Sequence, residues 1–352
     1  MNDRYSRQIL LDEVGEEGQK RLLKSTVAIV GCGGLGAIVA SYLAGAGVGH
    51  LVLIDGDIPN ISNVHRQILY SGHEKDSKSV VLKEKLAVLN PDVSVESFSD
   101  HLRKENINNV LTGVDLILEC TDDIMCKYLV NDFAAIEQIP LVYGAIYKYE
   151  GYVSSFMNST EEDTHLRDIF PHPDETIPTC AEVGVLNTLA GIIALLQANE
   201  ALKILIGIGD VLSGNLLIYD CLSNRQMIIS IKKSWDQDLE EYFEASNYLP
   251  MDCSFVGELS IEGLMAQRDK FILVSVMSES EHQSIDDATF HNALLTRDAD
   301  ILKAADKPIV LYCKYGKSSK QLAANLINAG VDAELYSLEG GYQAFQKFKA
   351  SN

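Results

Sequence analysis

The segment TVAIVGCGGLGAIVASYLAGAGVGHLVLIDGD spaces Gly31, Gly33 and Gly36 as G-x-G-x-x-G, straight after an apolar run and before a helical one. Glycines there let the backbone turn tightly and approach phosphate oxygens. The helix N-terminus adds free N–H groups and a partial positive charge. Asp55 follows 19 residues after Gly36, at the end of the next apolar run, where a carboxylate can grip ribose hydroxyls. The pattern predicts an adenine nucleotide, and the bare motif suits NAD as well as ATP. Three charged residues separate the two. Arg66 follows an Asn63-containing loop, Lys78 opens the next amphipathic segment, and Asp122 lies within ECTD. A nicotinamide dehydrogenase has little need for them. Breaking the α–β phosphate bond needs cations on the leaving pyrophosphate and a carboxylate to hold magnesium. Singly, Arg66 and Lys78 also read as surface charges and Asp122 as a helix cap. Together they favour nucleotidyl transfer.

The elements that must position these residues alternate between strand and helix patterns. Strands are predicted at 26–30, 51–55, 93–98, 115–120 and 141–146, and helices at 35–46 and 78–89, the latter stopped by Asn90-Pro91. That rhythm argues for an α/β fold with a parallel sheet covered by helices. Strands at 151–157, 215–221 and 226–231 lie closer together, as antiparallel neighbours do. A polar loop spans 158–179, too long for a passive connection. Residues 232–248, KKSWDQDLEEYFEASNY, look like a linker, after which a second α/β pattern restarts. The division predicted is 1–235, a linker at 236–251, and 252–352.

Composition narrows the partners. With 352 residues and a formal charge of −21, the chain would be repelled by nucleic acid and by anionic membranes. The longest apolar stretch, 183–209, is interrupted by Asn187, Gln197, Asn199, Glu200 and Lys203, which suits a buried helix better than a membrane span. No secretory signal is visible near the N-terminus. The seven cysteines never fall as C-x-x-C, which predicts reduced thiols and a cytoplasmic setting.

RYSRQ at 4–8, GCGGLG at 31–36 (with Gly34), DGDIPNISNVHRQ at 55–67, Lys78, CTDD at 120–123 and PTCAEVGVLN at 178–187 resemble the ThiF/MoeB/HesA family, bacterial relatives of ubiquitin-activating enzymes. The resemblance covers roughly residues 4–232. It implies a Rossmann-like ATP-binding domain, extended by antiparallel strands, that adenylylates the C-terminal glycine of a ThiS- or MoaD-like sulfur carrier ending in Gly-Gly. ATP and Mg2+ are the cofactors implied, and thiamine or molybdopterin biosynthesis the settings. Arg7 resembles an arginine that enters the partner subunit's ATP site, which implies a homodimer. Asp55 resembles the ribose ligand, with Asp57 beside it. Asn63, Arg66 and Lys78 resemble the phosphate-contacting and catalytic residues, and Asp122 the magnesium ligand. Cys180 falls on a cysteine that attacks the acyl-adenylate or forms a persulfide adduct in some relatives; its other reading is a buried structural thiol. Many relatives bind structural zinc through two C-x-x-C pairs. His165 and Asp168 stand at the first pair and no cysteine lies near the second, so no zinc and a more mobile 158–179 loop are expected.

The C-terminal segment KPIVLYCKYGKSSKQLAANLINAGVDAELYSLEGGYQAF resembles a rhodanese-like domain. Cys313 then ends a strand, and Lys314, Tyr315, Gly316, Lys317, Ser318 and Ser319 form a cradle of N–H groups that favours thiolate and persulfide. Such a fusion implies that sulfur replaces AMP on the activated carboxyl, with a cysteine desulfurase as a donor. An inactive rhodanese fold used for docking is the alternative there. For the whole chain the alternatives are an NAD-dependent oxidoreductase and a non-catalytic carrier-binding module.

Overall fold

The computed structural model describes residues 3–173, 184–249, 253–277, 285, 289–290, 302, 307–328 and 330–351. By its internal contacts the chain forms two compact units, one from the described residues up to Leu249 and one from those beyond.

The first unit is built on an eight-stranded sheet. Its strands are β1 (Thr26–Val30), β2 (His50–Ile54), β3 (Ser94–Phe98), β4 (Leu116–Glu119), β5 (Leu141–Tyr147), β6 (Glu150–Phe156), β7 (Asn215–Asp220) and β8 (Arg225–Ser230), in spatial order β3-β2-β1-β4-β5-β6-β7-β8. Pairing is parallel from β3 to β5 and antiparallel from β5 to β8. The apolar run TVAIV serves both faces at once. Val27 and Ile29 enter one core and Ala28 and Val30 the other, as expected for a strand covered by helices on both sides. The chain reverses its winding between β1 and β4, and the crevice outside the carboxyl ends of those strands is where open α/β sheets bind ligands.

The helix Asn187–Ile206 is long and apolar enough to cross a membrane by composition. It lies instead against the sheet, with Leu189, Ala190, Ile193, Ala194, Ala198 and Ala201 buried. Gly151 and Gly144 permit that approach, because a Cβ on either would overlap Ile193 or Gln197.

Residues 236–249, read above as linker, are folded. Asp238 caps a helix at Leu239–Ala245, and Phe243 and Tyr248 are buried in the first unit's core. Their charges mask a periodic apolar face, which is why the sequence looked like a linker. Gly15–Lys24 and Ile124–Ile136 are the longest of the described helices in this unit that the sequence reading above does not include.

The second unit carries a five-stranded parallel sheet of β9 (Gly257–Leu259), β10 (Ile272–Ser275), β11 (Thr289–Phe290), β12 (Ile309–Tyr312) and β13 (Leu335–Leu338), ordered β11-β10-β12-β13-β9. Helices Lys317–Asn328 and Gly341–Ser351 complete it.

Candidate active site

At the end of β1 the chain turns sharply at Gly31, whose φ is +89° and whose N–H donates to the Ile54 carbonyl at 2.8 Å. A Cβ here would lie 2.9 Å from the Cys120 carbonyl and the Thr121 nitrogen. A Cβ on Gly36 would overlap the Gly31 carbonyl oxygen. Both glycines are therefore demanded by close backbone packing, and the helix Gly36–Ala46 starts hard against the turn.

Asp55 is nearly buried behind this loop. Its Oδ2 accepts the Cys32 N–H at 2.8 Å and its Oδ1 the Asp57 N–H at 2.9 Å. Burial raises its carboxyl above the ordinary value, and Lys78 pulls it back. The Lys78 ammonium, itself buried, donates to Asp57 at 2.8 Å and lies 4.0 Å from Asp55. The surface-charge reading of Lys78 is thus corrected: it is a buried cation between two carboxylates. Tyr70, which the sequence reading passed over, donates its hydroxyl to the Cys32 carbonyl at 2.7 Å.

Arg66 comes to the same loop through a helical turn at Ile61–Asn63. The Asn63 carbonyl accepts the Arg66 N–H at 3.0 Å and the Gln67 N–H at 2.9 Å. This lays Arg66 over Gly34, whose hypothetical Cβ would sit 3.4 Å from the Arg66 carbonyl, and Gln67 over Gly33. The Gln67 Oε1 is buried with no hydrogen-bond partner. A loop of bare backbone with Arg66 and Lys78 beside it suits a polyphosphate.

Asp122 lies past the end of β4, in the turn that touches Gly31. The adjacent Asp123, not Asp122, caps the following helix, accepting from Met125 at 2.8 Å and Cys126 at 3.2 Å. Asp122 is left exposed, with the hard-oxygen chemistry a magnesium ion requires. Arg7 is not brought to this loop within the chain. Its neighbour Gln8 bonds Gln19 and the Ala46 carbonyl, and Tyr5 packs on Gly47. Those contacts lie at the far end of the Gly36–Ala46 helix, about 16 Å away at 1.5 Å per residue. Cys180 lies outside the described residues.

In the second unit Cys313 follows β12 and is buried. Its Sγ receives the Gly316 N–H at 3.1 Å and the Ser319 hydroxyl at 3.6 Å. Gly341 packs so tightly beneath the loop that a Cβ would overlap the Cys313 carbonyl, and the Tyr342 N–H donates to that carbonyl at 2.9 Å. Lys314 and Lys317 are exposed around the sulfur.

Around His165 and Asp168 the described residues form a polar clasp. Asp168 Oδ1 accepts from the Ser234 N–H at 2.7 Å and the Trp235 N–H at 2.8 Å, and its Oδ2 from the His165 N–H at 2.8 Å. Next to it Arg167 is buried, with Nε 2.8 Å and Nη2 2.6 Å from the Asp132 carboxylate. Its guanidinium lies 4.3–4.9 Å from the rings of Tyr128, Trp235 and Tyr242. Residues 158–173 are therefore tied down, which corrects the expectation of a loose loop over that stretch. Among the described residues no three His, Cys, Asp or Glu side chains cluster as a metal group.

A doubly wound sheet with a glycine turn at its switch point, followed by a rhodanese-like cysteine loop, defines a nucleotide-using protein fused to a sulfur-handling one. The chain belongs to the ThiF family, whose model matches residues 5–239, and residues 264–348 match the rhodanese-like domain. It is 41% identical over 238 residues to a sulfur carrier protein adenylyltransferase of Thermus thermophilus, covering 66% of this chain and 88% of the relative. It is 32% identical over 363 residues to the probable adenylyltransferase/sulfurtransferase MoeZ of Mycobacterium tuberculosis, covering 98% and 92%. Among solved structures, E. coli MccB with ATP superposes with a TM-score of 0.58 at 20% identity, over 66% of this chain and 72% of that one. At that identity the likeness is one of fold.

Proposed function

We propose that the protein uses ATP to adenylylate the C-terminal glycine of a ubiquitin-like sulfur carrier protein ending in Gly-Gly, and then passes sulfur to that carboxyl through Cys313. The observation that carries this reading is the convergence of Asp55, Arg66, Lys78 and the Asp122 turn on one glycine loop at the sheet's switch point. The names of the full-length relatives support it.

A carrier carboxylate oxygen attacks the α-phosphorus of ATP, the bond to the bridging oxygen breaks, and pyrophosphate leaves. Arg66 and Lys78 take up charge on that leaving group. The N–H groups opening the Gly36–Ala46 helix face the phosphates. Arg7 of the partner subunit in a homodimer supplies a further cation. Magnesium, held at Asp122, would neutralise phosphate charge. In the next stage the terminal sulfur of a Cys313 persulfide attacks the acyl carbon and AMP leaves. A second thiol then attacks the Cys313 sulfur, releasing the thiocarboxylate and leaving a disulfide for an external dithiol to reduce. A cysteine desulfurase suits the loading step, and a reducing cytoplasm suits the free thiols.

Pyrophosphate–ATP exchange with a Gly-Gly-ended carrier tests the first half, beside a titration of ATP against NAD. Absence of exchange with every such carrier of the host, or preference for NAD, would refute it. Cys313→Ser should retain exchange and lose thiocarboxylate formation.

A further inference from the structure

We propose that Glu119 and Lys127 are positioning residues that hold the Asp122 carboxylate in place for a divalent cation on ATP; this rests on the ATP reading above. Glu119 is the last residue of β4 and is fully buried, and Lys127 on the following helix is buried as well. Their side chains form an ion pair at the switch point. The second Glu119 oxygen accepts both the Thr121 N–H at 2.7 Å and the Thr121 hydroxyl at 2.6 Å. Lys127 also donates to the Gly144 carbonyl at 3.2 Å, across on β5.

Gln197 grips the same strand end from the long helix. Its Nε2 donates to the Glu119 carbonyl at 2.9 Å and its Oε1 receives the Cys120 thiol at 3.7 Å. Three elements thus converge on one turn, 120–123, whose backbone also abuts Gly31. Within that turn the two aspartates divide the work. Asp123 is committed to the helix cap, whereas Asp122 takes no part in that cap and is exposed.

Stability alone does not account for the pair. Replacing a buried ion pair by apolar groups of similar volume is often neutral or stabilising. What the pair supplies is a fixed path for residues 120–123, and a binding constellation must be held to within about 0.5 Å to work.

The test is calorimetric titration of the full chain with ATP over a series of Mg2+ concentrations, with AMP as a metal-independent control. Lys127→Met should raise the Mg2+ concentration for half-maximal ATP binding about tenfold, leave AMP binding unchanged, and so mimic Asp122→Asn. Lys127→Arg should restore the wild-type response. If Lys127→Met does not fold, Glu119→Gln/Lys127→Met removes both charges and should show the same shift. The proposal is overturned if ATP and AMP weaken equally, or if Asp122→Asn shifts the Mg2+ response while the Lys127 variants do not. A wild-type protein whose ATP binding ignores Mg2+ would remove the ATP–metal reading itself.

Discussion

Asp168→Ala removes one carboxylate that three backbone N–H groups share. A hydrogen bond to a charged acceptor contributes about 1.5–3 kcal/mol. The three at Asp168, from Ser234, Trp235 and His165, are coupled through one group and do not add. Exposed Ser234 can regain water, so a net loss of about 3 kcal/mol is expected. In a unit of this size each kcal/mol moves the melting midpoint by about 2–4 °C, giving a fall of about 6–12 °C. The chain's single tryptophan reports the event directly. Trp235 stacks near Arg167 and edge-on to Tyr242, with its indole nitrogen buried and unpartnered, so loss of the clasp should red-shift its emission. The effect carries a pH signature. Burial raises the Asp168 carboxyl, but the N–H bonds and His165 lower it more, leaving it below its ordinary value. Its contribution is therefore full above the unfolded value near 3.9 and is lost as pH falls through the folded value, so variant and wild type should converge in acid. EDTA should leave the wild-type midpoint where it is. A variant that melts like the wild type with unshifted emission would refute the reasoning. So would a chelator that reproduces the variant's loss.

Gly36→Ala should destabilise the first unit by about 1–3 kcal/mol and weaken ATP binding, because the helix start must retreat from the Gly31 carbonyl; urea midpoints and ATP titration read both. Lys78→Met should abolish pyrophosphate exchange. It should also make stability more sensitive to pH: burial already holds the Asp55 carboxyl above its unfolded value near 3.9, so stability falls as pH rises through that window, and losing Lys78 extends the window upward. Denaturation at pH 5 and 7.5 checks this, and an equal loss at both would contradict it. Arg7→Ala and Arg66→Ala proteins, each inactive alone, should regain exchange activity when mixed, since a heterodimer would contain one intact site; no recovery would count against a shared site.

The glycine motif, the strand–helix rhythm and the cysteine loop were legible because each is written in neighbouring residues. Gly31, Gly36 and Asp55 follow from local turn chemistry, and TVAIV declares a doubly covered strand. Lys78 and Asp122 were visible as residue types, yet their surroundings were not. Nothing in the chain near Lys78 says that Asp57, 21 positions earlier, will fold against it. The clasp is harder still. Asp168 meets Ser234 across 66 residues, and Asp132 meets Tyr248 across 116. Charged residues at 232–248 read as linker because their apolar partners lie elsewhere in the sequence. Local backbone chemistry was therefore determined by sequence alone, since its partners are at hand along the chain. The assembly of buried charges was decided by tertiary structure, because only the closed fold brings distant carboxylates and cations out of water together.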